Sequence, residues 1–375
     1  MKISLHLKTI ATGLAMFSMF FGAGNVIFPL VIGHYAQDKT FFAILGLLIT
    51  AVLVPFGGLF AMLLFEGDHK RYFAVLGKFP GFLIALFIIT LLGPLGSLPR
   101  CIALASSTVK MSVGDFSPVA FNALACGLIF FFTYQKRYIM EWLGYILTPL
   151  LLGSLAYIIT KGLLTAEVSS FSPQQQPSLT VFLEGLKEGY NTMDLLAALF
   201  FSSIIFNSLK NTLALYPQES LVKIGLKSCA LGAFLLALTY IGFSYVASFH
   251  SAKLKVESVE QLLGAITMEI IGPSAGIWVC STIALACLTT AIALSNVFAD
   301  FISHTVFQNK ISYKAALIGT LLATFIVANL QFAGISAFLI PILKVCYPFL
   351  MLLTVYNIVT QIFARKTLSI AQAKD

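Results

Sequence analysis

Charge is what this chain has least of: only 10% of its 375 residues are Asp, Glu, Lys or Arg, against about a quarter in an ordinary soluble domain. With 59% hydrophobic residues, that scarcity excludes a soluble globular protein. Apolar runs follow one another from Leu7 to Phe363, leaving no interval for a water-soluble domain of ordinary size. Cysteine is sparse and scattered. Cys101, Cys126, Cys229, Cys280, Cys287 and Cys346 all fall inside apolar runs, with no Cys-x-x-Cys pair and no neighbouring His cluster, so neither a disulfide frame nor a thiolate metal site is expected. There is no His-Glu-x-x-His helix, phosphate-cradling glycine loop or nucleophile–base pair, which argues against an intramembrane enzyme and against an ATP-driven pump. No run alternates as a strand does, excluding a membrane β-barrel. The continuous polar stripe or filter loop of a passive channel is lacking too.

What is there is a series of membrane helices, each needing roughly 20 apolar residues to cross a bilayer. The polar breaks give ten spans at about 8–32, 41–65, 80–110, 118–135, 140–161, 190–210, 222–249, 274–303, 313–332 and 335–363, forming a single membrane domain over residues 1–375. The third, eighth and tenth exceed the bilayer thickness and must tilt, bend or project. The start, Met1-Lys2-Ile3-Ser4-Leu5-His6-Leu7-Lys8, resembles a signal peptide. A long apolar segment without an Ala-x-Ala pattern makes it instead an uncleaved first span beginning in the cytoplasm. With that orientation the outer loops hold only Lys39, Lys110, Lys161, Lys187, Lys253 and Lys255. Apart from Arg100 and Lys344, which lie within spans, the remaining Lys and Arg residues are inside, so both termini are expected in the cytoplasm. The net charge of +8 reflects those basic loops and not a nucleic-acid partner.

The outer loop at about 162–189 divides the chain into two sets of five spans, 8–161 and 190–363. An odd number per half inverts the second relative to the first, as in many secondary transporters. The first span is interrupted at Gly22-Ala23-Gly24-Asn25, with Pro29 a turn later. In hydrocarbon, a broken backbone survives only where protein or a cavity supplies partners for the freed peptide groups. Its symmetry mate, the sixth span, has small and hydroxyl residues at Ala197, Ala198, Ser202 and Ser203, and the expected interruption lies between Ala197 and Ser203.

Freed N–H groups attract an anion such as a carboxylate, and freed C=O groups attract a cation such as sodium. A zwitterionic amino acid with a sodium ion satisfies both. The alternative use of Gly22 and Gly24 is close helix packing. Thr289 and Thr290 place adjacent hydroxyls at bilayer depth, suited to a hard cation, or else hydrogen-bonded to the carbonyl one turn back. Arg100 follows the turn-like Gly93-Pro94-Leu95-Gly96-Ser97-Leu98-Pro99, and Asp194 begins the sixth span. These two are expected either to pair as an outer gate or to be satisfied separately. Lys344 faces a water-filled path or snorkels, while Asp300, His304 and Glu141 are interfacial anchors.

Five stretches in order now carry a resemblance: Phe21-Gly22-Ala23-Gly24-Asn25-Val26-Ile27-Phe28-Pro29; Gly93-Pro94-Leu95 with Pro99-Arg100; Glu184-Gly185 through Gly189-Tyr190 with Thr192-Met193-Asp194; Ala286-Cys287-Leu288-Thr289-Thr290-Ala291; and Val327-Ala328-Asn329-Leu330. From about Ile10 to Tyr347 the chain resembles the bacterial branched-chain amino acid transport system carrier proteins, sodium-coupled symporters of leucine, isoleucine and valine. The resemblance implies an all-α membrane protein of ten transmembrane helices in two inverted repeats of five. The first and sixth helices are discontinuous, as in the amino acid–polyamine–organocation transporters and the neurotransmitter:sodium symporters.

It further implies a substrate site at Gly22, Ala23, Gly24 and Asn25 with Ala198, Phe200 and Ser202. The aliphatic side chain enters an apolar pocket between the first, third, sixth and eighth spans. A sodium site is implied at Ser18, Phe21, Ala286, Thr289 and Thr290. Sodium is then a coupling ion, no cofactor is expected, and the partners are a small amino acid and the lipid bilayer. Two departures are noted: the chain stops soon after the tenth span where family members usually carry two more, and Leu30 stands where a second proline often follows Pro29.

Overall fold

The computed structural model describes residues 5–135, 139–166, 174–216, 220–251, 254, 259–272 and 275–372, and every regular element among them is helical. The first span is α1 (Leu5–Phe20) followed by α2 (Ala23–Ala36). At Gln37, with φ 48°, the chain turns back into the second span, α3 (Thr40–Leu48), a π-helical turn at Ile49–Leu53, and α4 (Val54–Leu64). A short helix, α5 (His69–Phe73), precedes the third span, α6 (Lys78–Leu92) and α7 (Ser97–Val113). The turn between them falls at Gly93–Gly96, bending the long third span as its length requires.

The fourth span is α8 (Pro118–Thr133), and the fifth comprises α9 (Ile139–Glu141), a π turn at Trp142–Leu147, and α10 (Thr148–Leu164). Next come α11 (Ser178–Asn191) and α12 (Asp194–Leu215), then α13 (Leu221–His250) as the seventh span and α14 (Leu262–Ile271). The eighth is α15 (Ala275–Asp300) with a π turn at Phe301–Val306, the ninth α16 (Tyr313–Ala328) and the tenth α17 (Gln331–Gln372). Helix starts follow local chemistry. Ser117 accepts the Ala120 N–H ahead of Pro118 in α8, and Ser312 accepts the Ala315 N–H in α16, supplying acceptors for donors that the first turn leaves free.

Two expectations need correction. The stretch 162–189 is not simply an outer loop, because its described C-terminal part is the helix α11. The sixth span is therefore α11 plus α12, and its interruption lies at Thr192–Met193, ahead of Ala197. From Asp194 the helix runs unbroken through Ala197–Ser203. The reason is physical: Met193 takes the left-handed conformation at φ 65°, ψ 16°, which costs a non-glycine residue on the order of 1–3 kcal/mol and has no compositional signature. The small residues after it have no such interruption and continue the helix.

The halves correspond in more than number. Each begins with an interrupted span, and each has a helical excursion between its second and third spans, α5 in one and α14 in the other. The helices also associate in two groups. In one, α1 and α2 pack along α13, α3 along α11 and α4 along α12; in the other, α15 packs on α7, α8 and α16.

Within the first group the backbones of α3 and α11 touch directly. A Cβ on Gly185 would lie 2.1 Å from the Ala43 carbonyl oxygen, and one on Gly46 would lie 2.2 Å from that of Phe182. Glycine is required here by proximity, not by dihedral angle. Accordingly, Gly185→Ala is expected to lower the unfolding temperature of the purified protein by more than overpacking usually does, about 1–3 kcal/mol. Gly57→Ala has nothing within 4 Å of the new methyl and is expected to be neutral or slightly stabilising. Equal effects of the two substitutions would contradict the backbone contact.

Candidate functional site at the two helix breaks

The first break is two residues long. Phe21 N–H still bonds to Phe17 O at 2.9 Å, but Gly22 N–H, which in a continuous helix would reach Ser18 O, is instead 3.1 Å from Asn25 Oδ1. The next helix opens with Val26 N–H on Gly22 O. Ala23, Gly24 and Asn25 thus form the first turn of α2, where N–H groups have no intrahelical acceptor. One of them, the Ala23 N–H, lies against the Cys101 sulfur.

The carbonyl released by the break is put to use. Ser18 O accepts a hydrogen bond from Thr290 Oγ1 of α15 at 3.2 Å, while Thr289 Oγ1 bonds back to Ala286 O at 3.0 Å. Of the two threonines, therefore, Thr289 makes the bond within its own helix and Thr290 crosses between helices. Gly22 makes that crossing possible, since a Cβ there would sit 2.9 Å from both Thr290 Oγ1 and Cγ2. Ser18, Thr289, Thr290 and Ala286 are all buried. Of the expected ion-site residues, the structure brings the Ser18 carbonyl to the Thr290 hydroxyl, while the Thr289 hydroxyl stays on Ala286 O of its own helix.

The second break presents a carboxylate to the first. Asp194, first residue of α12 and 1% exposed, accepts both Asn25 Nδ2 contacts, at 2.9 and 2.7 Å, and the Tyr240 O–H at 2.8 Å. An acidic group at this position also suits the helix dipole. Asn25 Nδ2 lies against the Tyr240 hydroxyl as well. The Leu195 N–H donates to Tyr347 Oη at 3.3 Å, and Tyr347 O–H donates to Thr50 O at 2.6 Å. The start of α12 is thus tied to the second and tenth spans.

The expected Arg100–Asp194 gate is not formed. Arg100 donates through Nη2 to Asn191 O at 3.0 Å, and its guanidinium lies 5.4 Å from the Phe28 ring and 5.6 Å from that of Phe332. Asp194 is held by the neutral donors of Asn25 and Tyr240 while Arg100 keeps Nε and Nη1 without hydrogen-bond partners, so neither expected alternative, a pair or separate satisfaction, describes the arrangement. Gly24 accommodates the guanidinium: a Cβ there would be 2.5 Å from Arg100 Nη2 and 3.1 Å from Thr192 Cα.

The residues expected from the middle of the sixth span lie deeper along α12. Ala198 is the neighbour of Gly58, Ser202 bonds back to Leu199 O, and Phe200 joins an aromatic cluster with His69, Phe73 and Phe301. Those that meet the first break are instead Asn191, Thr192 and Asp194. An apolar cavity of about 480 Å³ lies among α7, α8 and α15, lined by Cys101, Ala105, Cys287 and Leu288. It opens past Leu124 and Leu128, both exposed on the bundle surface, and so differs from the expected pocket between the first, third, sixth and eighth spans.

Elsewhere, the six cysteines are free thiols. Lys344 and Glu141 are exposed, and Asp300 pairs with His304 at 3.2 Å. Tyr240 and Tyr347 were not singled out from the sequence. Their signal was present, a phenol in mid-span whose hydroxyl must find a partner when buried.

A family model described as "Branched-chain amino acid transport protein" matches residues 5–373. The chain is 28% identical over 378 residues to branched-chain amino acid permease BraB of Bacillus subtilis (strain 168), covering 98% of this chain and 83% of the relative. It is 29% identical over 375 residues to permease BrnQ of the same organism, covering 96% and 82%. Among solved structures, MhsT in complex with L-phenylalanine superimposes with a TM-score of 0.63 at 17% identity, over 87% of this chain and 80% of that one. That likeness is one of fold.

The Asn25 network gives a ranked prediction. Asn25→Ala strips a partner from both the Gly22 N–H and the Asp194 carboxylate, and is expected to destabilise by roughly 2–5 kcal/mol. Tyr240→Phe leaves Asp194 its contacts with Asn25 and is expected to cost about 1–2 kcal/mol. Denaturation of the purified variants in one detergent checks the order, and a larger loss for Tyr240→Phe would reverse the assignment.

Proposed function

The chain belongs to the branched-chain amino acid transport protein family, and from that premise we propose that it is a sodium-coupled symporter. It imports leucine, isoleucine and valine across the bacterial cytoplasmic membrane by alternating access, with both termini in the cytoplasm. The family is one of transporters, not enzymes.

The observation that carries sodium coupling is the meeting of Ser18 O with Thr290 Oγ1. A helix end supplies a carbonyl with no helical donor, and a neighbouring span supplies a hydroxyl. Sodium takes oxygen ligands, as hard cations do. Its candidate ligands are the carbonyls of Ser18, Phe21 and Ala286 and the hydroxyls of Thr289 and Thr290. The solute lies between the breaks, its carboxylate near the first turn of α2 at Gly22, Ala23, Gly24 and Asn25. Because Gly22 N–H is held by Asn25 Oδ1 and Ala23 N–H lies against the Cys101 sulfur, the Gly24 N–H is the better donor. Selection among leucine, isoleucine and valine rests on apolar shape, which separates substrates differing by a methylene by only about 1–3 kcal/mol. Overlapping affinities are expected.

A second reading, proton coupling, is favoured by one feature, the buried Asp194 carboxylate at bilayer depth. Purified protein in liposomes separates the two. Labelled leucine is expected to accumulate above equilibrium when an inward sodium gradient is imposed, at fixed pH and membrane potential. Accumulation driven only by a proton gradient selects the second reading, and uptake that merely equilibrates rejects both.

The ion site is tested within the same assay. Thr290→Ala is expected to raise the sodium concentration for half-maximal uptake by about tenfold, equivalent to ~1.4 kcal/mol. Thr289→Ala is expected to raise it less, because that hydroxyl already bonds within its own helix. An unchanged sodium dependence in both variants removes these hydroxyls from the site.

A further inference from the structure

Arg100 is buried, 1% exposed, yet its hydrogen-bonding capacity is mostly unused. Nη2 donates to Asn191 O, but Nε and Nη1 have no hydrogen-bond partner. A guanidinium carries five N–H donors and remains charged in proteins. Removing such a cation from water without an anionic partner is expensive. The Phe28 and Phe332 rings offset part of that cost through their quadrupoles. They cannot satisfy N–H groups lying in the guanidinium plane. The nearby carboxylate does not answer the deficit either, since Asp194 is held by Asn25 and Tyr240. These donors stand open where the two breaks meet: Nη2 approaches Gly24 on one side and Asn191 O on the other.

We infer that Arg100 binds the carboxylate of the transported solute, through the N–H groups that the protein leaves without partners, beside the first turn of α2. The inference rests on the amino acid transport reading and names the residue that recognises the acid group. A planar fork formed by the second N–H of Nη2 with Nε or Nη1 matches a carboxylate in two-point fashion and gives the tighter, more directional form of charge-assisted hydrogen bond. It also makes the site one for amino acids as such. An aliphatic amine or amide lacking the acid group fills the apolar part and leaves the guanidinium unpaired. Gly24 then has two roles at once, ending the bulk at the break and making room for the cation.

The test compares leucine with leucinamide, which replaces the carboxylate by a neutral amide. Ligand-dependent thermal shifts of the full-length protein in detergent, with sodium present, give the two affinities. Wild type is expected to prefer leucine by about 100-fold or more, in line with leaving one member of a buried charge pair unmatched. In Arg100→Gln that preference is expected to collapse to within about threefold, the loss falling on leucine alone. If both ligands weaken by the same factor, or leucine binding is unchanged, Arg100 does not read the carboxylate.

Should Arg100→Gln fail to fold, Arg100→Lys, which keeps the charge and loses the planar fork, supplies the answer: leucine affinity is expected to fall about tenfold with leucinamide unchanged, and equal changes for the two, or none for either, overturn the inference. A wild-type protein that binds neither leucine, isoleucine nor valine overturns the transport reading itself and takes the inference with it. Leucine binding in Arg100→Gln at the wild-type affinity overturns the inference alone.

Discussion

The Asn25 carboxamide is the constraint on which the rest of the site depends. Its oxygen takes the Gly22 N–H that the first break releases, and its nitrogen donates to Asp194 at the start of the second. One side chain therefore closes two interruptions in different halves of the chain. In hydrocarbon neither could exist alone, since each leaves peptide groups that lipid cannot satisfy. A carboxamide suits the task because it combines an acceptor and donors in one rigid plane. Asp offers no donor and Leu offers neither.

Around that clamp the site divides by group. Asn25, Asp194 and Tyr240 belong to α2, α12 and α13, all on one side of the molecule. Thr290 and Arg100 belong to α15 and α7, on the other, and each reaches across with a single hydrogen bond to a backbone carbonyl, Ser18 O and Asn191 O. The two breaks are thus held to one another by a side-chain network and to the opposing group by these two bonds, the Ala23 N–H beside Cys101 and the Arg100–Phe28 contact. Those two crossings are also the positions assigned to the cation and to the carboxylate.

Much of the architecture was legible in the chain. Low charge, the length of the apolar runs and the sidedness of Lys and Arg fix ten spans, and Gly22-Ala23-Gly24-Asn25 marks the first break within a residue or two. The second break was misplaced because its cause is tertiary. Met193 turns the chain in the left-handed region without being glycine, and no glycine or proline advertises the turn. Ala197 through Ser203 resemble a weak point by composition but keep every reason to stay helical. Arg100 and Asp194 show a related limit: opposite charges near one membrane face suggest a pair, whereas the neutral donors of Asn25 and Tyr240, remote in sequence, claim the carboxylate first. Which of two adjacent threonines turns outward was likewise invisible until Gly22 was seen to leave space for one of them.

The contact of α3 with α11, where backbone lies on backbone with no side chain between, bears on how this molecule can deform. Interdigitated side chains permit small sliding steps, because rotamers can exchange as one helix shifts past another. A carbonyl seated against a glycine has no rotamer to exchange, and any displacement along the axis drives it into the next Cβ. The second span and the α11 half of the sixth are therefore mechanically a single strut. Motion that changes access to the breaks must pass around that strut as a rotation, and the compliant elements are the two-residue gaps at Phe21–Gly22 and Thr192–Met193.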